Sequence, residues 1–427
     1  MVMMLYNQDV SNCYTFNGLK HPLNEKYNML LEGSVARICG DGGLEIPSAL
    51  RVVECKDDLP ELREIAYAFQ SEFTDVVILG TGGSSLGGKC ICAFAKSDKP
   101  NLHFVDNVDP VTFAELFAVL NPVTTGLIVI SKSGDTSETL AQFNLFLQWF
   151  QERLTPSQVS ARVKIITQQR SSILREIGHK KNFDILNHDP NIGGRFSAFS
   201  LVGVLPALIA GIDVGSFRKG AATTLIHTRK KRHDSAPAQG AALKLAAAKH
   251  ATLATNILMF YSDKLFWFGQ WYRQLWAESI GKNGYGATPV PFVGTVDQHS
   301  QLQLYLDGPS DKLFSAIMHD YRDSGMLVNA SATGGVDLGT LEQRTLGDLI
   351  NASQRGTIDA LVAANRPVRT ITTGELNETT LGALMMHFML ETIITADLLE
   401  VDPFNQPAVE KGKTRTKQYL KKFTDKC

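Results

Sequence analysis

The stretch DVVILGTGGSSLGG, residues 75–88, decides the fold. Residues 75–79 are mostly β-branched and apolar, which is typical of a buried strand, and a glycine-rich turn leads into a helix expected from about Lys89. A strand, glycine turn and helix together offer backbone N–H groups and a helix N-terminus to an anion. The turn matches neither a Walker A loop nor a strict dinucleotide-binding GxGxxG turn, so a purely structural turn is the alternative.

The same layout returns at residues 126–139, GLIVISKSGDTSET. Its hydroxyl groups belong to Ser131, Ser133, Thr136 and Ser137. Because a single hydroxyl is enough to cap a helix, this set favours a site for a phosphate monoester. Asp135 lies in the same turn, and its carboxylate would repel a phosphate dianion unless it faces away.

Further segments extend the alternation of strands and helices through the chain. Helices are predicted at 59–73, 201–210, 241–252, 313–326 and 381–399, and strands at 163–168, 255–261, 289–296 and 368–373. This alternation indicates an α/β protein with parallel sheets, repeated weakly in the second half. His387, on the long apolar helix, is expected to be a core or interface residue.

Three residues are candidates for a catalytic or ligand-binding role. Glu278 ends an aromatic-rich helical run, and a carboxyl group in apolar surroundings takes up a proton more readily, which suits a base. His299 lies in the polar run DQHSQ after an apolar strand, where open α/β sheets place ligands. Arg195 follows two glycines before a helix and can reach into a cleft. Taken singly, Glu278 and His299 are better explained as ordinary polar residues, and Arg195 fits either interpretation.

Composition limits the classes of function. The 427 residues are 44% hydrophobic and 20% charged, as in a globular protein of two or three domains. The net charge of -1 gives no indication of a nucleic-acid partner. The six cysteines lack metal-binding spacing, which favours a reduced cytoplasmic setting. No secretory signal or membrane span is expected, and the basic run 229–232 is interpreted as a solvated helix end.

Six segments in order resemble the phosphoglucose isomerase family: GTGGSSLG (80–87), SKSGDTSET (131–139), GGRFSAFS (193–200), LWAESIGK (275–282), GTVDQHSQ (294–301) and FNQPAVEKGK (404–413). The resemblance implies two sugar-isomerase (SIS) domains, 59–225 and 226–400, each a mainly parallel sheet flanked by helices in three layers. A helical N-terminal arm, 1–58, would precede them, and a tail, 401–427, would return to the active site. It also implies a homodimer in which His299 reaches the partner's site.

The resemblance further implies interconversion of glucose 6-phosphate and fructose 6-phosphate through an enediolate, in glycolysis and gluconeogenesis. Glu278 would be the base, Arg195 would stabilise the enediolate, and His299 and Lys413 would assist ring opening. Substrate binding would fall to Gly83, Ser84, Ser131, Lys132, Ser133, Thr136, Gln274 and Gln406. No cofactor or metal is expected. The alternatives are a broader isomerase that also uses mannose 6-phosphate and a non-catalytic SIS sensor of sugar phosphates.

Overall fold

The computed structural model describes residues 4–16, 19, 25–95, 100–249 and 253–424. These residues contain ten strands in two five-stranded sheets. The strands are β1 (Tyr6–Asp9), β2 (Asp75–Leu79), β3 (Asn101–Val105), β4 (Thr125–Ile130), β5 (Val163–Gln168), β6 (Asp184–His188), β7 (Thr255–Phe260), β8 (Thr288–Val293), β9 (Lys312–His319) and β10 (Val368–Thr373).

The first sheet has the order β3-β2-β4-β5-β6, and all its strands are parallel. The second has the order β1-β10-β9-β7-β8 and is parallel except for β1, which pairs antiparallel with β10. Because β2 and β4 are parallel neighbours, the turns that follow them lie side by side at one edge of the first sheet.

The helices that cover the sheets follow the predicted alternation. They are α1 (Glu25–Ile38), α2 (Ser48–Arg51), α3 (Leu59–Glu72), α4 (Leu86–Cys92), α5 (Pro110–Val119), α6 (Ser137–Gln151), α7 (Pro156–Arg162), α8 (Ile173–Lys181), α9 (Leu201–Ile209), α10 (Val214–Lys231), α11 (Ala236–Ala248), α12 (Phe266–Ile280), α13 (Val296–Ser300), α14 (Leu302–Asp307), α15 (Leu346–Ala363), α16 (Glu378–Leu398) and α17 (Glu410–Thr424).

Alternate residues of β2 pack into two different hydrophobic cores, one on each face of the first sheet, so the sheet lies between two layers of helices. Val76 and Ile78 of β2 belong to the large central core, whereas Val77 and Leu79 pack with α5 and α6 on the other face. Because both faces of the sheet are covered, the strand is apolar throughout, as parallel strands usually are. The predicted α/β class with mainly parallel, helix-flanked sheets is confirmed.

The helix predicted at 313–326 is wrong. Residues 312–319 form β9, which lies between β10 and β7 in the second sheet. A short continuous apolar run is equally compatible with a buried helix and with a buried strand, and periodicity alone does not separate them. The sequence pattern also gives no indication of the edge strands β1 and β6.

A buried cluster of polar side chains connects β1 to helix α16 behind the second sheet. The Tyr6 hydroxyl lies 2.9 Å from Nδ1 of His387, and Nε2 of His387 lies 3.2 Å from Glu391. Arg369 of β10 also pairs with Glu391, and both side chains are fully buried. His387 is therefore a core residue, as expected from the sequence.

The basic run 229–232 comprises the last three residues of α10 and Arg232 just after it, and it is not simply solvated. Arg232 pairs with Glu32 of α1 and with Asp41, and Arg229 donates to the carbonyl of Cys39 over 3.2 Å. His233 adds a contact of 3.0 Å to Glu32. These cations therefore hold α1 and the turn after it against the end of α10.

One described helix, α16, is long and apolar enough to span a membrane by length and composition. Of its most apolar window, 89% is buried inside the protein. It occupies the centre of the main core, packed against α10, α11 and α12.

Candidate active site

The centre of the candidate site is an ion pair between Arg195 and Glu278. Arg195 follows β6 in a short 3-10 turn, Gly194–Phe199, and its side chain is 2% exposed. Its Nη1 donates to Glu278 Oε2 over 3.0 Å, and its Nε donates to the hydroxyl of Ser279 over 2.8 Å. Trp271 donates to the Arg195 carbonyl over 3.2 Å. Burial lowers the pKa of Arg195, and the charge of Glu278 opposes that shift.

The expected apolar setting of the Glu278 carboxylate is wrong. Its helix, α12, buries an aromatic face, but the Glu278 side chain is 30% exposed and its carboxylate lies against polar groups. Gln274, one turn earlier, donates from Nε2 to Glu278 Oε1 over 3.0 Å. Both carboxylate oxygens are therefore fixed by hydrogen bonds, one to Gln274 and one to Arg195.

The turn after β2 lies directly beside these residues. A Cβ atom at Gly83 would lie 2.2 Å from the carbonyl carbon of Gly194, so only glycine allows the two turns to meet. A Cβ atom at Gly82, whose φ is 55°, would lie 2.9 Å from Nε2 of Gln274. Ser84 ends the 3-10 turn Gly82–Ser84 and is half-buried. This arrangement connects the glycine turn to the Arg195–Glu278 pair.

The turn after β4 gathers the predicted hydroxyl groups. The hydroxyl of Thr136 lies 3.0 Å from that of Ser131 and 3.4 Å from that of Ser133. Thr136 is the N-cap residue of α6 but makes no side-chain capping bond there. The first N–H groups of α6 thus lack a side-chain acceptor at the cap, which is the arrangement that suits an anion.

Asp135 faces away from these hydroxyls. Its Oδ1 accepts from the backbone N–H of Ile173, the first residue of α8, over 3.0 Å. Its Oδ2 lies 3.4 Å from Nη2 of Arg170. The condition set by the sequence, that this carboxylate face away from the hydroxyls, is met.

Lys132 connects this turn electrostatically to the ion pair. Burial lowers the pKa of Lys132; Asp189 opposes that shift, while the positive charges of Arg170 and Arg195 add to it. Its backbone carbonyl accepts from Gln168 over 3.2 Å, which fixes the turn against β5. The positive charge of Arg195 therefore acts on Lys132 of the hydroxyl-lined turn.

The tail also reaches the ion pair. Nη1 of Arg195 donates to the side chain of Gln406 over 3.0 Å, and Nη2 donates to the carbonyls of Asn405, over 3.0 Å, and Pro403. The ring of Phe404 packs on that of Phe196 at 5.2 Å. Gln406 thus joins Arg195, Glu278 and Gln274 in one cluster.

His299 and Lys413 are not part of this cluster in the described chain. His299 lies on the exposed side of α13, and Lys413 lies on the exposed α17, where it pairs with Glu410 over 2.7 Å. Neither shares a hydrogen bond or ion pair with Arg195 or Glu278 among the described residues.

Two residues of the site were missed by sequence reasoning. Ser279 orients Arg195, and Lys282 donates to backbone carbonyls at the end of α12. The signal for Lys282 was available, because a lysine just past a helix C-terminus commonly satisfies the last carbonyls. Within the described ranges, no group of three or more His, Cys, Asp or Glu is arranged to hold a metal ion.

Comparison with known proteins gives the family. The family model described as phosphoglucose isomerase matches residues 64–426. The chain is 35% identical over 382 residues to glucose-6-phosphate isomerase of Rubrobacter xylanophilus, covering 87% of this chain and 88% of the relative. It is 32% identical over 403 residues to glucose-6-phosphate isomerase of Thermus thermophilus, with coverage of 92% and 96%.

Solved structures agree in fold. A Thermus thermophilus protein described as hypothetical superposes with a TM-score of 0.87 at 30% identity, covering 97% of this chain and 99% of that one. Glucose-6-phosphate isomerase of Chlamydia trachomatis superposes with a TM-score of 0.75 at 22% identity, with coverage of 93% and 84%, and shares the fold. This chain belongs to the phosphoglucose isomerase family.

Proposed function

We propose that this protein interconverts glucose 6-phosphate and fructose 6-phosphate. The proposal rests on the 3.0 Å contact between Arg195 and Glu278. The glycine turn after β2 lies beside this pair, and the hydroxyl-lined turn after β4 follows the neighbouring strand. Moving a hydrogen between neighbouring carbons requires one positioned base and one cation where negative charge develops on oxygen. This pair supplies both.

In the proposed reaction, the Glu278 carboxylate removes the proton from C2 of the open-chain aldose. The electrons move onto the carbonyl oxygen, and the guanidinium of Arg195 stabilises the resulting enediolate. Glu278 returns the proton to C1, and a second proton moves between the two oxygens, giving the ketose. A positioned base contributes about 10²–10⁴-fold to such a step, and a fixed oxyanion donor about 10²–10³-fold.

The phosphate is assigned to the turn after β4, with Ser131, Ser133, Thr136 and Lys132, and to Ser84. The phosphate group is remote from the reacting carbons C1 and C2, so its binding positions the substrate without disturbing the chemistry. Gln274 and Gln406 flank the ion pair and are assigned to the sugar hydroxyls.

We include a homodimer in the proposal, with His299 acting in the partner's site. The support is that α13 presents His299 on an exposed side, next to the exposed apolar residues Val296 and Leu304. Lys413 would assist ring opening from the tail. We also place the enzyme in the cytoplasm, since the five described cysteines are free thiols.

The test is a coupled assay on fructose 6-phosphate without added metal. Turnover is expected, and a chain that binds the sugar phosphate without converting it would contradict the proposal. The same assay with mannose 6-phosphate measures whether the specificity is broader.

A further inference from the structure

Lys282 lies two residues beyond the end of α12, in the segment LWAESIGK, and has no role in the proposed reaction. Its Nζ donates to three carbonyl oxygens: Glu278 over 2.8 Å, Ser279 over 2.9 Å and Asp402 over 2.7 Å. An ammonium group has three N–H donors, so all of them are used on the backbone. Two of these acceptors are unpaired carbonyls of the helix end, and the third belongs to the tail.

The tail depends on few bonds for its position at the site. Lys282 holds the carbonyl of Asp402, and Arg195 holds those of Pro403 and Asn405 together with the Gln406 side chain. Bonds from charged donors are roughly twice as strong as neutral ones. Beyond this segment, α17 is exposed up to Lys422, so its own packing contributes little to holding residues 402–406.

We propose that Lys282 is a positioning residue that ties residues 402–406 to the end of α12, and thereby keeps Gln406 at Arg195. It acts through backbone carbonyls and touches no reacting atom. The link is direct, because one of the two α12 carbonyls that Lys282 binds belongs to Glu278, the proposed base. The ammonium of Lys282 therefore links the base to the tail a second time, in addition to Arg195.

The first measurement is hydrogen–deuterium exchange of the peptide 400–409 in the full-length protein. In Lys282→Met we expect exchange of this peptide to quicken at least several-fold, while the peptide 59–72 in α3 is unchanged. Arg273→Met, on the exposed side of the same helix, is the matched control and should behave as wild type. Unchanged exchange of 400–409 in Lys282→Met would overturn the proposal, whatever the reaction proves to be.

The second measurement separates this role from simple capping of α12. It rests on the proposed function, because it uses turnover of fructose 6-phosphate. Lys282→Met should lower kcat/KM about 10-fold, and in a Gln406→Ala background the same change should cost much less, since the tail contact is already lost. Equal losses in both backgrounds would mean that Lys282 serves the helix end alone.

Lys282→Arg is the rescue variant. It distinguishes the loss of the lysine's hydrogen bonds from a folding defect caused by the methionine. A guanidinium keeps the positive charge and several N–H donors, although in a planar fork, so exchange and activity should recover in part relative to Lys282→Met. If arginine is as damaging as methionine, cationic donation to the tail is not what the lysine provides.

Discussion

At the scale of single residues, Arg195 is shared between two tasks. It neutralises Glu278 and holds the tail, and it is almost fully buried while doing so. The motif order indicated that Arg195 and Glu278 belong to one site. That both Glu278 oxygens are fixed by side chains follows only from the fold, which brings the turn after β6 against the last turn of α12.

Glu278→Gln should reduce turnover of fructose 6-phosphate by about 10²–10⁴-fold, since an amide cannot accept the proton. Binding of the sugar phosphate should survive, because the turn after β4 is untouched. Steady-state kinetics and a binding titration measure the two effects. Glu61→Gln, on the exposed side of α3, is the control, and substantial activity in Glu278→Gln would remove the base from this position.

Thr136→Val should raise KM for fructose 6-phosphate by about 10-fold, with a smaller effect on kcat. The reason is that its hydroxyl bonds to those of Ser131 and Ser133 and is not needed to cap α6. Ser71→Ala, an exposed hydroxyl on α3, serves as the control. An unchanged KM would place the phosphate elsewhere.

At the scale of elements, the sequence predicts strands best where apolar residues are flanked by clear turns. For this reason the pattern locates β2, β4, β5, β7 and β10 within a residue or two. The apolar run of β9 has no alternation, so it also fits a helix, and β1 escapes prediction because its partner, β10, lies far along the chain. Local patterns carry no information about such distant pairing.

The buried cluster of polar side chains behind the second sheet, together with the buried Lys244, predicts a pH-dependent stability. Burial lowers the pKa of Lys244 on α11 to about 7, with Arg369 lowering it further and Glu391 opposing. In the unfolded chain this lysine titrates near its usual value, so between about pH 7 and 10 the unfolded state binds more protons and stability rises with pH.

Lys244→Met should therefore be more stable than wild type at pH 7, and the difference should shrink as the pH rises toward 10. Denaturant unfolding of both proteins at several pH values measures this. Lys230→Met, at an exposed position of α10, should show no such trend. A constant difference between wild type and Lys244→Met would mean that the lysine is not the titrating group.

At the scale of the whole molecule, the described single chain leaves His299 and Lys413 apart from the ion pair. In the proposed homodimer, His299 acts in the site of the partner chain. A second copy at α13 would cover the exposed apolar residues Val296 and Leu304.

Mixing two impaired variants tests this arrangement. If His299 acts in the partner's site, a mixed dimer of His299→Ala and Glu278→Gln has one intact site. Random exchange of subunits should then restore about a quarter of wild-type activity. Glu278→Gln mixed with Gln274→Ala is the control, because both changes lie in the same chain's cluster; it restores nothing beyond the activity that Gln274→Ala retains. No recovery in the first mixture would place His299 in its own chain's site.

The pairing of β1 with β10 has a consequence for synthesis. Tyr6 leaves the ribosome long before Thr373, its partner in the sheet, has been made. Until β10 has been made, β1 has no strand to pair with. A chain that lacks β1 would leave the backbone N–H and C=O groups of β10 unpaired at the edge of the sheet, where other molecules could bind. The pairing of β1 with β10 therefore has to wait until more than 360 further residues have been made.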